Sequence, residues 1–289
     1  MFYLNLIFIL LLALSSCTSF NKIPTRFKKE IIKGGEFYIT TFHDIKDTSK
    51  DYVVYIEGDG FITKDNKNPT NNPTPKNKLV LALAAEDFRK NIVYIARPCQ
   101  FTPPELNENC NSAYWTSKRW SPEVIDSMNE VIDKITRSGN VHLVGFSGGG
   151  GMAVLIGSRN SNVKSIITIA GNLDHVKFNK FHKAKQCTDS LNPTDFSDRT
   201  FDIKQIHIVG RKDKIVPEFI VDDFINSFNI KCYERNENVI DKFGSQNIEL
   251  NKLLENSCNI QKIVCFECSH SGNNWIIFWK KFLHTHYKK

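Results

Sequence analysis

Gly145-Phe146-Ser147-Gly148-Gly149 sets one hydroxyl between glycines placed two residues before and two after it. Val141–Phe146 ahead of it is largely apolar, and Gly149–Gly157 behind it is small and apolar. A serine at the crest of a sharp strand-to-helix turn needs neighbours without side chains, because strand and helix cross there. Such a turn lifts the hydroxyl clear of the backbone and aims the N–H of Gly148 at a reacting carbonyl oxygen. The chemistry is attack of an activated hydroxyl on an acyl carbon. The stretch lacks the Gly-Lys-Ser/Thr ending of a nucleotide loop and the G-x-G-x-x-G pattern of a dinucleotide site. A serine nucleophile needs a base, and histidine suits it because its ordinary pKa lies near neutrality. The chain has eight histidines, so position must choose among them.

The elements around the serine follow from periodicity. Segments such as "DYVVYIEG" (51–58), "NIVYIARP" (91–98), "NVHLVGF" (140–146), "NVKSIITIAG" (162–171), "QIHIVGRKD" (205–213) and "QKIVCFE" (261–267) are short and apolar on both faces, as buried strands are. "GEFYITTFH" (35–43) adds a first strand. Helices alternate with them. Ser121-Pro122 begins one whose Val124, Met128, Val131 and Ile135 repeat at helical spacing, with Gly139 at its end. Asn77 is a candidate cap for "LVLALAAEDF" (79–88), and "NNWIIFWKKFLHTHY" (273–287) closes the chain as a helix. Strand–helix alternation predicts an α/β fold: a mostly parallel central sheet of at least six strands with helices on both faces, in one domain over 34–289. The run 171–201 reads as a long irregular insertion over the strand ends, a cap or pocket wall.

With the serine turn in this context, the sequence resembles the α/β-hydrolase family from about Ile31 to its C-terminus. That family orders its parts as oxyanion loop, serine, acid, histidine. The resemblance implies Asp213 as the acid: "IHIVGRKDKIVP" (206–217) resembles the family's strand–Gly–x–x–Asp–x–x–Val–Pro segment. Asp174 and Asp202 are weaker candidates. It implies His270 as the base, between the last strand and the last helix. His207 lies inside a strand, His284 and His286 at a helix end, His175 and His182 in the basic insertion, and His43 and His142 ahead of the relevant strand ends. The oxyanion donors would be the N–H groups of Gly148 and of Asp59, the latter in "YIEGDGF" (55–61), with Gly60 as its neighbour. Glu57 stands there where the family usually has histidine.

The resemblance implies a serine hydrolase that cleaves an acyl ester, esterase- or lipase-like, through an acyl-enzyme. Amide or thioester hydrolysis and acyl transfer use the same constellation, and fold does not choose among them. A non-catalytic surface protein on the hydrolase scaffold is the other class; the presence of Ser147, Asp213 and His270 together argues against it. Tyr114, Trp115 and Trp120 are candidates for a substrate-pocket wall, or alternatively loop packing. Arg97 or Arg119 could meet a carboxylate or phosphate. No cofactor or metal is expected: Cys265 and Cys268 have C-x-x-C spacing, but no second such pair exists for a structural zinc.

The first residues, "MFYLNLIFILLLALSSC", run apolar from Phe2 to Leu14, too short for a secure membrane span. Leu14-Ser15-Ser16-Cys17 resembles a bacterial lipobox, though no Lys or Arg precedes the apolar run. The expectation is a leader over 1–16, lipidation at Cys17, a polar tether over 17–33, and an exported protein held at a membrane of a bacterial cell envelope. Export makes disulfides plausible among the other seven cysteines. Cys99 with Cys110 is the favoured pair, and Cys258 with Cys265 or Cys268 a second candidate. The net charge of +7 is scattered, densest at Lys177–Lys185, and no nucleic-acid motif accompanies it. The expected partner is a small or lipid-like acyl substrate.

Overall fold

A computed structural model describes residues 23–65, 68–240 and 259–288. The apolar leader, Cys17 and Cys258 lie outside the described residues. Eight strands form one sheet in the order β1-β2-β4-β3-β5-β6-β7-β8. These are β1 (Lys28–Gly34), β2 (Phe37–Ile45), β3 (Tyr52–Ile56), β4 (Asn91–Ile95), β5 (Val141–Phe146), β6 (Val163–Ile169), β7 (Lys204–Gly210) and β8 (Ile260–Cys265). The last six are mutually parallel, and β2 pairs antiparallel with both β1 and β4, so β2 alone runs against the sheet. Among the described residues the helices are α1 (Leu79–Glu86), α2 (Pro122–Thr136), α3 (Gly148–Gly157), α4 (His175–Phe181), α5 (Glu218–Ile240) and α6 (Asn274–Tyr287).

The two faces of the sheet bury separate cores, and β3 shows why. Tyr52, Val54 and Ile56 join the side chains of α2, α3 and α5, while Val53 and Tyr55 join those of α1 and α6. Alternate residues of a strand point to opposite faces, so a strand covered on both sides must be apolar throughout. In α2, Val124, Ile125, Met128, Val131 and Ile132 are fully buried along one stripe. That helix stops at Thr136, before Gly139, because Arg137 and Ser138 take left-handed conformations (φ 51° and 56°).

Three expectations are corrected. The segment expected as a tether through residue 33 is a strand from Lys28: its Ile31 and Ile32 pair with Thr40 and Ile39 of β2. Lys28, Lys29 and Glu30 face solvent, so the strand reads as polar although its backbone completes the sheet; lysines are common on such exposed edges. The insertion is also more regular than its sequence suggested, holding α4 and a 3₁₀ segment at Pro193–Thr200. Finally, Cys265 is bonded to Cys268, which leaves neither for Cys258; Cys99 is bonded to Cys110 with Cα atoms 5.8 Å apart. Among the described residues no helix is long and apolar enough to cross a membrane.

Candidate active site

Four connections converge at the C-terminal edge of the parallel strands, where ligands of open α/β sheets bind. The turn after β5 carries Ser147, that after β7 Asp213, that after β8 His270, and that after β3 the run Glu57–Gly60.

Ser147 holds φ 52° and ψ −121°, a backbone region that L-residues rarely occupy. The turn is locked from both sides: Ser147 N–H donates to Ile169 O at 3.0 Å, and its carbonyl accepts from Gly150 and Asn172. Its flanking glycines are required by contact. A Cβ on Gly145 would lie 2.1 Å from the carbonyl oxygen of Gly149, and one on Gly149 2.4 Å from that of Ile56.

From the serine a continuous hydrogen-bonded chain runs to a buried carboxylate. Ser147 Oγ lies 3.1 Å from His270 Nε2, and His270 Nδ1 lies 2.8 Å from Asp213 Oδ2. The other Asp213 oxygen accepts from the N–H groups of Ile215 and Val216 at 2.8 and 2.9 Å. Those two amides can only donate, so Asp213 is held as an acceptor. The proton on the facing ring nitrogen then belongs to His270 Nδ1, which leaves Nε2 free to accept from the serine. The Asp213 side chain is fully buried, and that of His270 is partly open to the cavity. Trp275 Nε1 donates to the carbonyls of Ser269 and His270 at 2.6 and 3.2 Å and fixes the histidine loop. The two loops are also laced together, since Arg211 N–H donates to Cys265 O and Lys212 N–H to Cys268 O. Asp174 does other work: its carboxylate caps α4 through Lys177 N–H.

Gly148 is the first residue of α3, where N–H groups have no acceptor within the helix. Asp59 lies against it. Asp59 Oδ1 is 2.0 Å from the point a Gly148 Cβ would occupy, so the carboxylate rests on the glycine itself. That carboxylate is held by two buried arginines; sequence reading offered either of them for a carboxylate or phosphate but not their shared hold on Asp59. Arg97 Nη1 donates to Asp59 Oδ1 at 3.2 Å and Nη2 donates to the carbonyl of Arg119; Arg119 Nε stands 3.5 Å from Asp59 Oδ2. The only sequence signal was two arginines on loops that return to the same sheet edge. Burial pushes the Arg97 guanidinium down to about 10, partly opposed by Asp59. Beside it, Glu57 accepts from Tyr94 Oη at 2.7 Å and from Gly58 N–H at 2.9 Å. Burial raises this carboxyl from 4.5 to about 7, against both hydrogen bonds.

A cavity of about 410 Å³ opens onto Ser147 and His270, with Glu57, Asp59, Gly60, Phe61, Lys76, Arg119, Phe178 and Ile215 on its walls. Gly60 is therefore on this wall, and so is Phe178 of the insertion. The three aromatics are not. Tyr114 packs edge-on against Phe37 at 4.9 Å, Trp115 lines a different cavity beside the Cys99–Cys110 disulfide, and Trp120 is fully buried with Nε1 donating to Gly148 O at 3.0 Å. They pack this loop against the body, the alternative their composition left open.

With this geometry in view, comparisons place the chain among known proteins. Residues 63–238 match the family model described as Serine hydrolase (FSH1). The matched stretch contains Ser147 and Asp213 and ends before His270. No curated protein matches the sequence. Among solved structures, an alpha-beta serine hydrolase homologue from Coxiella burnetii aligns over 90% of this chain and 97% of its own length, at TM-score 0.54 and 14% identity. The Pyrococcus furiosus esterase Pf2001 aligns at TM-score 0.55 and 11% identity, over 90% of this chain and 91% of that one. The Pyrococcus horikoshii acylaminoacyl peptidase aligns at TM-score 0.57 and 12% identity, over 90% of this chain and 41% of the other. Likeness at such identities establishes the shared α/β-hydrolase fold.

Proposed function

We propose, from the premise that this chain belongs to the serine hydrolase (FSH1) family, that it hydrolyses carboxylic esters through an acyl-enzyme on Ser147. The observation that carries the reading is the unbroken chain Ser147–His270–Asp213, at 3.1 and 2.8 Å, opening onto a cavity. His270 Nε2 takes the serine proton as Oγ attacks the carbonyl carbon, and Asp213 stabilises the imidazolium that forms. The N–H groups of Gly148 and Asp59 hold the oxyanion; one such donor is worth about 3–4 kcal/mol at the transition state. His270 then protonates the departing alkoxide oxygen, and water enters by the reverse route. An ester makes a smaller demand on these parts than an amide, since its leaving group departs more readily than an amine.

Reaction with a fluorophosphonate probe, followed by peptide mapping, tests the nucleophile. Folded protein labels at Ser147 and denatured protein does not. A folded, ester-cleaving sample that labels elsewhere would remove Ser147 from its role.

The proposal extends to location. The leader is removed after Ser16 and Cys17 carries lipid, holding the enzyme at a membrane of the bacterial envelope. The lipobox-like Leu14–Cys17 supports this, as does the Cys99–Cys110 disulfide, a bond suited to an oxidising compartment. Mass analysis of the N-terminal peptide from cells tests it: a lipid-bearing Cys17 is expected, and an intact Met1 refutes it.

A further inference from the structure

The two arginines beside the nucleophile outnumber the carboxylate between them. Arg97 and Arg119 are 4% and 5% exposed, and Asp59 is their shared counter-ion. Glu57, the other acid on this wall, has its two oxygens engaged by Tyr94 and Gly58. Arg97 Nε and Arg119 Nη2 are buried without a hydrogen-bond partner, and Arg119 Nε makes no hydrogen bond although Asp59 Oδ2 stands 3.5 Å away. A buried guanidinium with idle N–H groups is costly, since each lost partner leaves desolvation uncompensated. Lys76, whose ammonium sits 3.8 Å above the Phe61 ring, adds a third cation to the walls of the same cavity.

We infer that Arg119, backed by Arg97, is a subsite for an anionic group on the substrate, and that the acyl chain cleaved here is short and ends in a carboxylate. This rests on the Ser147 reading above and narrows its substrate. The shortness comes from position. Asp59 touches Gly148 with one oxygen and approaches Arg119 Nε at 3.5 Å with the other, so the guanidinium stands about one carboxylate's width from the residue next to the nucleophile. An anion meeting it lies only a few bonds from the reacting carbonyl. The guanidinium is also held in place: its carbon lies 4.6 Å from the centroid of the buried Trp120 ring, and a planar guanidinium can meet a carboxylate through two hydrogen bonds. Phosphate could use the same fork, so the test includes it.

Binding is measured by calorimetry on Ser147→Ala protein, which needs no turnover, with glutarate and inorganic phosphate as separate probes. Glutarate is expected to bind, and Arg119→Met on that background to weaken it at least tenfold. Binding of phosphate but not glutarate, or glutarate binding that Arg119→Met leaves unchanged, overturns the inference. In protein with Ser147 intact, the mono-4-nitrophenyl ester of glutarate is compared with the neutral 5-methylhexanoate ester of similar shape. The expected kcat/KM ratio favours the anionic ester by at least tenfold, and a ratio of one or less overturns the inference without recourse to any variant. Arg119→Met collapses that ratio, whereas Arg119→Lys, which keeps charge and loses the fork, collapses it less. Fluorophosphonate labelling of Ser147 is scored separately. Labelling with no anion preference defeats this inference alone, and absence of labelling in folded protein defeats the hydrolase reading beneath it.

Discussion

The two walls of the catalytic cleft are built on opposite principles. On the side formed by the turns after β5, β7 and β8, the side-chain polar atoms of Ser147, Asp213, His270 and Trp275 all have partners, and Asp213 has three donors around it. On the side formed by the turns after β3 and β4, three guanidinium nitrogens are buried without a hydrogen bond, one of them, Arg119 Nε, in ion-pair range of Asp59. A satisfied network holds one geometry and needs nothing further to act. An unsatisfied one, next to the same cavity, leaves donors that the anionic group inferred above would engage. The cleft thus pairs a finished proton relay with an unfinished electrostatic surface, and its variants should separate into losses of turnover on one wall and changes of selectivity or pH dependence on the other.

The hardest blow to the finished wall is Ser147→Ala or His270→Ala. Ester hydrolysis should fall by about 10⁴–10⁶-fold, the scale for removing a member of such a unit, with thermal unfolding little changed. Combining the two should cost scarcely more than either alone; additive losses would mean that the relay does not act as one device. Asp213→Asn comes next. Its amide can donate to His270 Nδ1 and favour the wrong tautomer, which in a serine protease lowers turnover about 10⁴-fold. Asp174→Asn, at a helix cap away from the relay, should leave single-turnover acylation of Ser147 nearly unchanged; the reverse pattern would relocate the acid.

On the other wall the largest expected effect is on stability. The Glu57 carboxyl, raised to about 7 by burial, binds its proton more tightly folded than unfolded. A raised carboxyl contributes stability that is fully present below about pH 4.5 and is lost as pH rises through about 7. The span corresponds to about 3 kcal/mol at most. Urea unfolding at pH 5 and pH 7.5 should show wild type losing more stability than Glu57→Gln, which cannot titrate. Equal losses would place Glu57 outside this role. The smallest effect belongs to the aromatic loop. Tyr114→Leu should cost about 1 kcal/mol through its lost contact with Phe37 and leave KM for a neutral ester unaltered. A raised KM would return Tyr114 to the pocket.

Much of this was legible in local sequence. The serine turn was readable because its requirement for small residues is set within five positions. The buried strands were readable because both faces of each must be apolar. Asp213 and His270 were readable only through chain order in a resembling family, since nothing local distinguishes them from the other acids and histidines. Lys28–Lys33 was misread because an edge strand with solvent-facing lysines has the composition of a linker, and what makes it a strand is hydrogen bonding to β2. The tryptophans and Tyr114 were left ambiguous because an aromatic side chain serves a pocket and a core equally well.

Apolar period, small residues at tight crossings and the order of turn residues act over a few positions, so they set the elements and the nucleophile's place among them. The relay instead spans 123 residues from Ser147 to His270 and 57 from Asp213 to His270, distances closed by the parallel sheet bringing three turns to one edge. The gathering of Arg97, Arg119 and Asp59 has the same origin. Charge balance in a buried site depends on which side chains share a small volume from which water is excluded, and that is a property of packing across loops distant in the chain.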